Sequence, residues 1–307
     1  MIFSLMEMKK VLRRYVQYLK LEKNYSPNTC DAYMADLSRF LDYIGSVGLK
    51  VEEVKLEDMH NFSSVIMDLG VYPTTLSRIL SGVRSFYRFL LLSDLIDHDP
   101  LELLEYPKRA RKLPDVLSVE EIDAIESVID LSQTEGQRNK AIIEVLFSCG
   151  LRVSELCGLK MSDLYLDEGF VKVDGKGSKQ RLVPISGKAI KELNLYFLDR
   201  NTYDIHPDCT DYVFVSKKRK RNLSRIMVFH LIKELVELAG IKKTVSPHTF
   251  RHSFATSLLE GGANLRAIQA MLGHESIGTT EIYMHIDTSR LREELLNHHP
   301  RYTKNNK

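Results

Sequence analysis

The residues of this chain best suited to chemistry are concentrated towards its C-terminal end. They are three histidines, an arginine and a tyrosine: His248, Arg251, His252, His274 and Tyr283. Imidazoles can move protons, a guanidinium can hold phosphate oxygens, and a phenol oxygen can attack phosphorus. Together these residue types fit cleavage of a phosphodiester by a tyrosine nucleophile without a metal ion. Such chemistry would make the chain an enzyme that breaks and rejoins DNA.

Local sequence predicts how several of these residues are positioned. Ser246 can cap a helix and Pro247 can occupy its first turn. Three residues then fall at i, i+3 and i+4 of one helical face, near the positive end of the helix dipole where anions bind: His248, Arg251 and His252. Gly273 is expected to end the following helix, so that His274 projects from the next loop.

Two cations far upstream complete the set of chemically suitable residues. Gly150 is a candidate helix C-cap, and Arg152 begins the next helical turn. Segments 170–173 and 181–184 read as strands of a β-hairpin around a glycine-rich tip that carries Lys176. Helix starts and hairpin tips are common places for cations that contact phosphate.

Each of these residues also has an ordinary explanation when it is taken alone, such as core packing or a surface hydrogen bond. A zinc site is a further alternative, because His248 and His252 have the spacing of a zinc-protease helix. That chemistry needs a glutamate after the first histidine, where Thr249 stands, and no third ligand cluster is apparent. The joint pattern favours phosphate chemistry over zinc.

Composition bounds the class of protein. The chain of 307 residues is long enough for two domains, and its 44% apolar and 27% charged content is typical of a globular protein. The four cysteines form no C-x-x-C pair, which indicates a reducing compartment and no thiolate zinc site. No signal peptide and no apolar run of about 18 residues is apparent, so we expect a cytoplasmic protein without a membrane span.

Charge is distributed unevenly along the chain. Residues 1–107 hold 12 Lys and Arg against 15 Asp and Glu, a net charge of −3. Because the net charge of the whole chain is +2, the remaining residues carry +5. Phosphate binding depends on local basic stripes rather than on the total charge. Two basic runs without an acidic member, at 108–112 and 217–221, are candidates for such stripes, with solvated surface as the alternative.

The N-terminal part reads as a set of helices. Apolar residues recur at helical spacing over 5–19, Ser26 and Pro27 open a second helix, and Thr74 or Thr75 opens a later one. The polar side of that later helix could face DNA, with simple amphipathicity as the alternative. Our candidate DNA contacts are three arginines of this helix and four basic residues of the segment that follows: Arg78, Arg84, Arg88, Lys108, Arg109, Arg111 and Lys112.

Two prolines mark the predicted domain boundary. Pro107 and Pro114 enclose the basic residues and make a stiff, extended connector. We predict a helical N-terminal domain over 1–107, a basic linker over 108–114 and a catalytic domain over 115–307. The predicted fold is mainly α with a small β-sheet. The catalytic domain should open with a capping box at 118–121, followed later by helices at about 187–200, 224–239, 247–260 and 264–272.

Five motifs are spread along the chain: GLRVSEL at 150–156, GKG at 175–177, PHTFRHSFAT at 247–256, LGH at 272–274 and Tyr283. Together they resemble the tyrosine site-specific recombinases of the phage integrase family, and within it the bacterial Xer recombinases. The resemblance extends over nearly the whole chain, and the closing HHPR run at 298–301 is more similar to the XerD type than to the XerC type. It implies a helical, SAM-like core-binding domain followed by an α+β catalytic domain.

The resemblance implies a role for each residue of the family's catalytic set. Tyr283 attacks the scissile phosphate and becomes joined to its 3′ side. Arg152 and Arg251 hold the non-bridging oxygens, and Lys176 protonates the leaving 5′-oxygen. Arginine suits this task because its planar fork matches two phosphate oxygens and stays charged.

The remaining positions of the set are assigned in the same way. His248 assists proton transfer at the tyrosine, which has an ordinary pKa near 10 and needs a proton acceptor at neutral pH. His274 donates a further hydrogen bond to the phosphate. Glu155 and His252 are expected as supporting residues. No cofactor is implied: two arginines can replace the metal ions of other nucleases, and a phosphotyrosine ester allows religation without ATP.

The family resemblance also implies an assembly. Two pairs of protomers would exchange strands between two double-stranded DNA sites, with a partner recombinase of XerC type and a DNA translocase of FtsK type. The task would be chromosome-dimer resolution at a dif-like site. The alternatives are integration or transposition of a mobile element, type IB topoisomerase-like relaxation, and sequence-specific DNA binding without cleavage. A helix near residue 290 resembles the family's C-terminal helix, which docks on a neighbouring protomer. One side of it carries Leu291, Leu295 and Leu296. The alternative is that this helix covers the core of its own chain.

Overall fold

Helices form most of the structure, a computed structural model that describes residues 5–105, 115–175, 180–273 and 288–303. The chain divides into two units, Met1–Lys112 and Leu113–Lys307. The predicted linker at 108–114 falls outside the described residues. The boundaries proposed from the prolines therefore stay predictions.

Helices are the only regular elements among the described residues of the N-terminal unit: α1 Leu5–Gln17, a π-helical turn Tyr18–Glu22, α2 Pro27–Ser46, a 3₁₀ turn Val51–Glu53, α3 Leu56–Asp68 and α4 Pro73–Leu92. The side chain of Ser26 accepts a hydrogen bond from the N–H of Thr29, which confirms the predicted cap of α2. The prediction that Thr74 or Thr75 opens α4 is wrong. The helix begins at Pro73, because a proline loses no helical hydrogen bond in the first turn and its φ is already helical.

Aromatic side chains dominate the core of the N-terminal unit. Tyr15, Phe40, Phe62, Phe86 and Tyr87 are all nearly inaccessible to solvent, and several pairs meet edge to face. These rings come from α1, α2, α3 and α4, so the four helices share one core.

The second unit carries nine α-helices among its described residues, besides two short 3₁₀ turns: α5 Val119–Ser127, α6 Gly136–Cys149, α7 Val153–Gly158, α8 Gly187–Arg200, α9 Arg225–Leu238, α10 Pro247–Glu260, α11 Leu265–Leu272, α12 Thr288–His298 and α13 Pro300–Thr303. The side chains of Ser118 and Glu121 cap α5 reciprocally, as the capping-box spacing predicts. Helix α6 is central, because nearly all its residues are buried and both α8 and α10 pack on it.

Two small antiparallel sheets complete this unit. The first has the order β1-β2-β3, with β1 Leu164–Tyr165, β2 Phe170–Asp174 and β3 Gln180–Pro184. The predicted hairpin is therefore confirmed. Strand β1 is too short to show an alternating pattern in the sequence. The second sheet joins β4 Val215–Ser216 and β5 Arg221–Asn222, so most of the basic run at 217–221 forms the connection between two strands. The predicted class, mainly α with a small sheet, is confirmed.

Helix α12 lies on its own unit in this single chain. Leu291 and Leu295 are buried in a cluster with Phe254 and Leu258 of α10, whereas Leu296 is 39% exposed. The single chain thus uses the helix as cover for its own core. Docking of this helix on a neighbouring protomer stays a prediction.

A buried cluster of charges anchors the segment that follows α12. Nε of Arg301 lies 3.2 Å from Glu144, and Nζ of Lys188 lies 3.2 Å from the same carboxylate and 2.7 Å from Glu126. Burial, together with the neighbouring Glu126, raises the pKa of Glu144 above its ordinary value.

Within the described part of the chain, no helix is both long enough and apolar enough to cross a membrane.

Candidate active site

Arg152 is positioned by the sharp turn between two helices. Gly150 adopts a left-handed conformation with φ of +58°, and its N–H donates to the carbonyl of Leu146, so it caps α6 as predicted. The chain then reverses, and Arg152 becomes the N-cap of α7. Its N–H donates to a carboxylate oxygen of Glu155 at 2.8 Å, which satisfies one of the free N–H groups at the start of the helix.

Arg251 projects from α10 towards the same turn. Its Nη1 donates to the carbonyl of Gly150 at 2.8 Å, and its Nη2 donates to the carbonyl of Leu272. Burial, and then the charge of Arg152, lower the pKa of Arg251 to about 10. The guanidinium therefore stays protonated at neutral pH.

Glu155 is the carboxylate that these arginines share. Nη1 of Arg152 donates to it at 2.7 Å, and Nη1 of Arg251 lies 3.9 Å from it. Burial acts to raise the pKa of Glu155, but hydrogen bonds from Arg181 and Arg152 outweigh burial and lower it. The carboxylate thus stays ionised and fixes the guanidinium groups around it.

Arg181 was not among the predicted site residues, although the structure places it at the centre of this network. Both of its terminal nitrogens donate to Glu155, at 2.8 and 2.9 Å, and its Nε donates to the carbonyl of Met271 at 2.8 Å. One signal in the sequence could have revealed it. Arg181 pairs with the buried Val173 across β2 and β3, so it is a charged residue on the inward side of a strand.

The C-terminal end of α11 meets this network through its last carbonyl groups. The carbonyls of residues 271, 272 and 273 each accept a hydrogen bond from a different arginine: Arg181, Arg251 and Arg152 respectively. Gly273 ends the helix with a left-handed φ of +62°, as predicted. Three arginines from different elements therefore converge on one helix end.

The two histidines of α10 differ from Arg251 in their burial. His248 stands in the first turn and His252 one turn later, and both are exposed, whereas Arg251 points into the unit. The N–H of Ser246 donates to the hydroxyl of Thr249, which fixes the start of the helix. Among the described residues, no group of three His, Cys, Asp or Glu side chains could hold a metal ion.

Three predicted catalytic residues lie outside the described residues: Lys176, His274 and Tyr283. Strand β2 ends at Asp174, before the first of them, and α11 ends at Leu272, before the other two. The structure therefore brings together Arg152, Arg251 and the supporting Glu155 of the predicted set.

The candidate DNA contacts of the N-terminal unit have different environments. Arg78 pairs with the buried carboxylate of Asp36, while 44% of its own side chain remains exposed. Arg84 donates to the carbonyls of Leu101 and Leu104, so it has a role within the unit. Arg88 is exposed on α4. The other four candidates are not described by the structure: Lys108, Arg109, Arg111 and Lys112.

Two family models match the chain. The phage integrase family matches residues 115–290, and the phage integrase N-terminal SAM-like domain matches residues 12–93. Tyrosine recombinase XerD of Chlorobaculum tepidum is 42% identical over 299 residues, covering 95% of this chain and 97% of that protein. Tyrosine recombinase XerD of Oceanobacillus iheyensis is 40% identical over 290 residues, covering 94% and 97%.

Solved structures show the same fold. The integrase of transposon Tn1549, in complex with circular intermediate DNA, has a TM-score of 0.71 at 22% identity and covers 93% of this chain and 98% of that one. The XerH recombinase, bound to palindromic difH substrate in a post-cleavage complex, has a TM-score of 0.68 at 23% identity and covers 93% and 83%.

Fold and similarity together define an enzyme of the tyrosine recombinase class, which confirms the predicted enzyme class. The chain belongs to the phage integrase family, and its activity is Xer-type site-specific DNA recombination. The alternatives raised from the sequence, among them DNA relaxation, are not favoured.

Proposed function

We propose that this chain is the XerD-type member of a recombinase pair and that it resolves chromosome dimers in the cytoplasm at a dif-like DNA site. The observation that best supports this chemistry is the shared carboxylate of Glu155. It accepts hydrogen bonds from the N–H and Nη1 of Arg152, and Nη1 of Arg251 lies 3.9 Å from it. Positive charge is thus fixed at one place before any substrate arrives, which is what a transition state with growing negative charge requires.

The two arginines would hold the scissile phosphate. A guanidinium has five N–H donors, and the described bonds of Arg251 and Arg152 to carbonyls and carboxylate use only part of them. The remaining donors would contact the non-bridging oxygens, where charge grows as phosphorus becomes pentacoordinate. Loss of one such donor typically slows a reaction by roughly 10²–10³-fold.

Each cleavage step balances in atoms and protons. The hydroxyl oxygen of Tyr283 forms a bond to phosphorus, and the bond between phosphorus and the 5′-oxygen breaks. The phenol proton passes to His248, and Lys176 gives a proton to the leaving 5′-oxygen. His274 donates a hydrogen bond to the phosphate, and His252 supports the helix face beside His248. A 5′-hydroxyl from another strand then reverses these steps, so no ATP is needed.

DNA is the substrate implied by these roles. The N-terminal unit would contact the duplex through Arg78 and Arg88 of α4, and the basic linker at 108–114 would run along the phosphates. Arg84 donates hydrogen bonds to the carbonyls of Leu101 and Leu104, and this structural role explains the residue without a contact to DNA. By analogy with the DNA in the XerH and Tn1549 complexes, the bound substrate is a duplex recombination site.

Partners follow from the similarity to XerD proteins. A second recombinase of XerC type would occupy the other half of the site, and an FtsK-type translocase would control the reaction. Helix α12 would then contribute to contacts between protomers, in addition to the cover it gives its own unit. Leu296, which is 39% exposed on this helix, is available for such a contact.

A nicked suicide substrate tests the chemistry. The wild-type chain should form a covalent adduct at the 3′-phosphate, in the presence of a metal chelator, and Tyr283→Phe should bind the same DNA without forming it. Tyr165→Phe is a matched control, because Tyr165 is a 41% exposed tyrosine on β1 of the same unit. A 3′-phosphotyrosyl adduct trapped with Tyr283→Phe would overturn the assignment of the nucleophile.

A second experiment addresses the biological site. Footprinting on DNA from the source chromosome should reveal one protected site whose two halves differ, each with its own recombinase. Strand exchange at that site should need an added recombinase of XerC type. Protection at the ends of a mobile element instead would favour integration or transposition.

A further inference from the structure

Arg181 lies outside the motifs that indicate the active site, yet its guanidinium joins two parts of that site. It holds the carboxylate of Glu155 through two parallel hydrogen bonds and the carbonyl of Met271 through a third. Only 14% of the side chain is exposed, so the group faces the interior of the unit. The planar guanidinium of Arg181 therefore connects Glu155, which also binds Arg152, to the end of α11.

The end of α11 needs such donors. The last carbonyls of a helix have no partner within the helix, and they are satisfied by caps, water or other side chains. Among the described residues, Arg181 is the donor to the carbonyl of Met271. Gly273 packs against the same side chain, since a Cβ on this glycine would lie 3.3 Å from Cδ, Nε and Nη1 of Arg181. The next residue in the sequence is His274, one of the proposed phosphate contacts.

We propose that Arg181 is a positioning residue for DNA strand cleavage: it fixes Glu155 relative to the end of α11, and so sets where Arg152 and Arg251 present their free donors. This inference rests on the proposed function, because that proposal assigns the two arginines to the scissile phosphate. In this role Arg181 does not touch DNA and acts through Glu155 and the α11 carbonyls.

The geometry requires arginine rather than any cation. An ammonium group is compact and cannot span a bidentate carboxylate and a carbonyl on a different element with one rigid plane. Misplacement of a reacting group by about 1 Å can slow an enzyme by about 10²-fold. The position of Arg181 should therefore affect the rate of chemistry rather than the affinity for DNA.

The test compares Arg181→Gln and Arg181→Lys with Arg200→Gln. Arg200 is a matched control because it is also a buried arginine of this unit that donates to backbone carbonyls, those of Thr210, Tyr212 and Val213. DNA affinity is measured by titration. The single-turnover rate of covalent adduct formation is measured at saturating protein. Both Arg181 variants should cleave about 10²-fold more slowly with unchanged DNA affinity. Arg200→Gln should melt at a lower temperature and cleave at the wild-type rate per folded molecule.

A double-variant cycle separates positioning from loss of folding. If Arg181 acts through Arg152 and Arg251, Arg181→Gln should slow the already slow Arg152→Lys variant by much less than it slows the wild type. Full additivity of the two effects would overturn the inference. So would a wild-type cleavage rate for Arg181→Gln, an outcome that leaves the proposed function standing.

Hydrogen exchange provides a readout that does not depend on the reaction. Peptides that cover α11 should exchange faster in Arg181→Gln than in the wild type or in Arg200→Gln, because the carbonyl of Met271 loses the hydrogen bond from Arg181. Unchanged exchange in α11 would overturn the inference about Arg181 by itself. If the wild-type chain forms no adduct at all, it is the proposed function that fails.

Discussion

Nη1 of Arg251 donates a 2.8 Å hydrogen bond to the carbonyl of Gly150, although the two residues lie 101 positions apart in the chain. The bond ties α10 to the turn that positions Arg152. Gly150 suits this turn for two reasons: its φ is +58°, and a Cβ there would lie 2.4 Å from the ring of Phe254 on α10. The turn and the helix are therefore in direct contact at a position that has no room for a side chain.

Gly150→Ala should reduce both stability and cleavage. The left-handed conformation alone costs about 1–2 kcal/mol for a residue with a Cβ, and displacement of Phe254 adds to it. Because Phe254 and Arg251 share α10, the shift should also move Arg251 and slow adduct formation. The control is Gly240→Ala, since Gly240 has a similar φ of +69° and a Cβ there would meet no atom within 4 Å. Equal losses of stability and rate in the two variants would contradict the expected role of the Phe254 contact.

Glu155→Gln should slow adduct formation by roughly 10²-fold or more while the unit stays folded. An amide is neutral, and its NH₂ group would face an arginine instead of accepting from it. The lowered pKa of Glu155 gives a pH signature with a definite sign. Its stabilising contribution is present above the ordinary value of 4.5 and is lost as the pH falls through the lower folded value. Urea unfolding between pH 7 and pH 3 should therefore show a smaller acid-dependent loss in Glu155→Gln than in the wild type.

The sequence predicted Gly150, Arg152, Arg251 and Gly273 because each belongs to a local pattern: a helix end, a helix start or a helical face. Arg181 belongs to no such pattern. Its importance comes from partners 26 and 90 residues away, which only the folded chain brings together. The short strand β1 and the start of α4 were missed for a local reason, since two residues show no period and a proline competes with a threonine as the first residue of a helix.

Lys176→Ala tests the proposed general acid, a residue that the sequence alone assigns. With ordinary DNA the variant should cleave far more slowly than the wild type, because the 5′-oxygen would leave without a proton. A substrate with sulfur at the 5′-bridging position should restore the rate, since a thiolate is a good leaving group without protonation. Tyr283→Phe should show no such rescue. Failure of the sulfur substrate to rescue Lys176→Ala would assign the proton to another residue.

His299 should make the second unit sensitive to acid. Burial, and then the charge of Arg301, lower the pKa of His299 from 6.5 to about 3. The folded chain therefore holds the ring neutral while the unfolded chain protonates it. The contribution of neutral His299 to the free energy of unfolding is present above its ordinary pKa of 6.5 and is lost as the pH falls towards 3. The loss amounts to roughly 2 kcal/mol between pH 7 and pH 5.

His299→Asn should flatten this dependence. Asparagine keeps an acceptor for the N–H of Arg301, which now bonds to Nδ1 of His299, but it loses the ring contacts with Phe147 and Phe254. The variant should be less stable at pH 7 and should lose less on acidification. The exposed His230 supplies the control, and His230→Asn should leave the wild-type slope unchanged. An unchanged slope in His299→Asn would mean that another group causes the acid sensitivity.

Arg301→Gln should weaken the attachment of the chain's C-terminal segment. Removal of one member of a buried charge group leaves its partners uncompensated, which typically costs about 3–5 kcal/mol. Arg301 is 8% exposed in its side chain, and it forms ion pairs with Glu144 and Asp123 at once. The exposed Arg225 gives a control, since Arg225→Gln removes the same charge outside the cluster. In Arg301→Gln the Glu144 carboxylate would keep only Lys188 as a cationic partner among the described residues. If this weaker compensation causes the loss, the double variant Arg301→Gln with Glu144→Gln should be more stable than Arg301→Gln alone in thermal unfolding. A double variant that is less stable than either single one would show instead that packing of Arg301, rather than its charge, holds the segment in place.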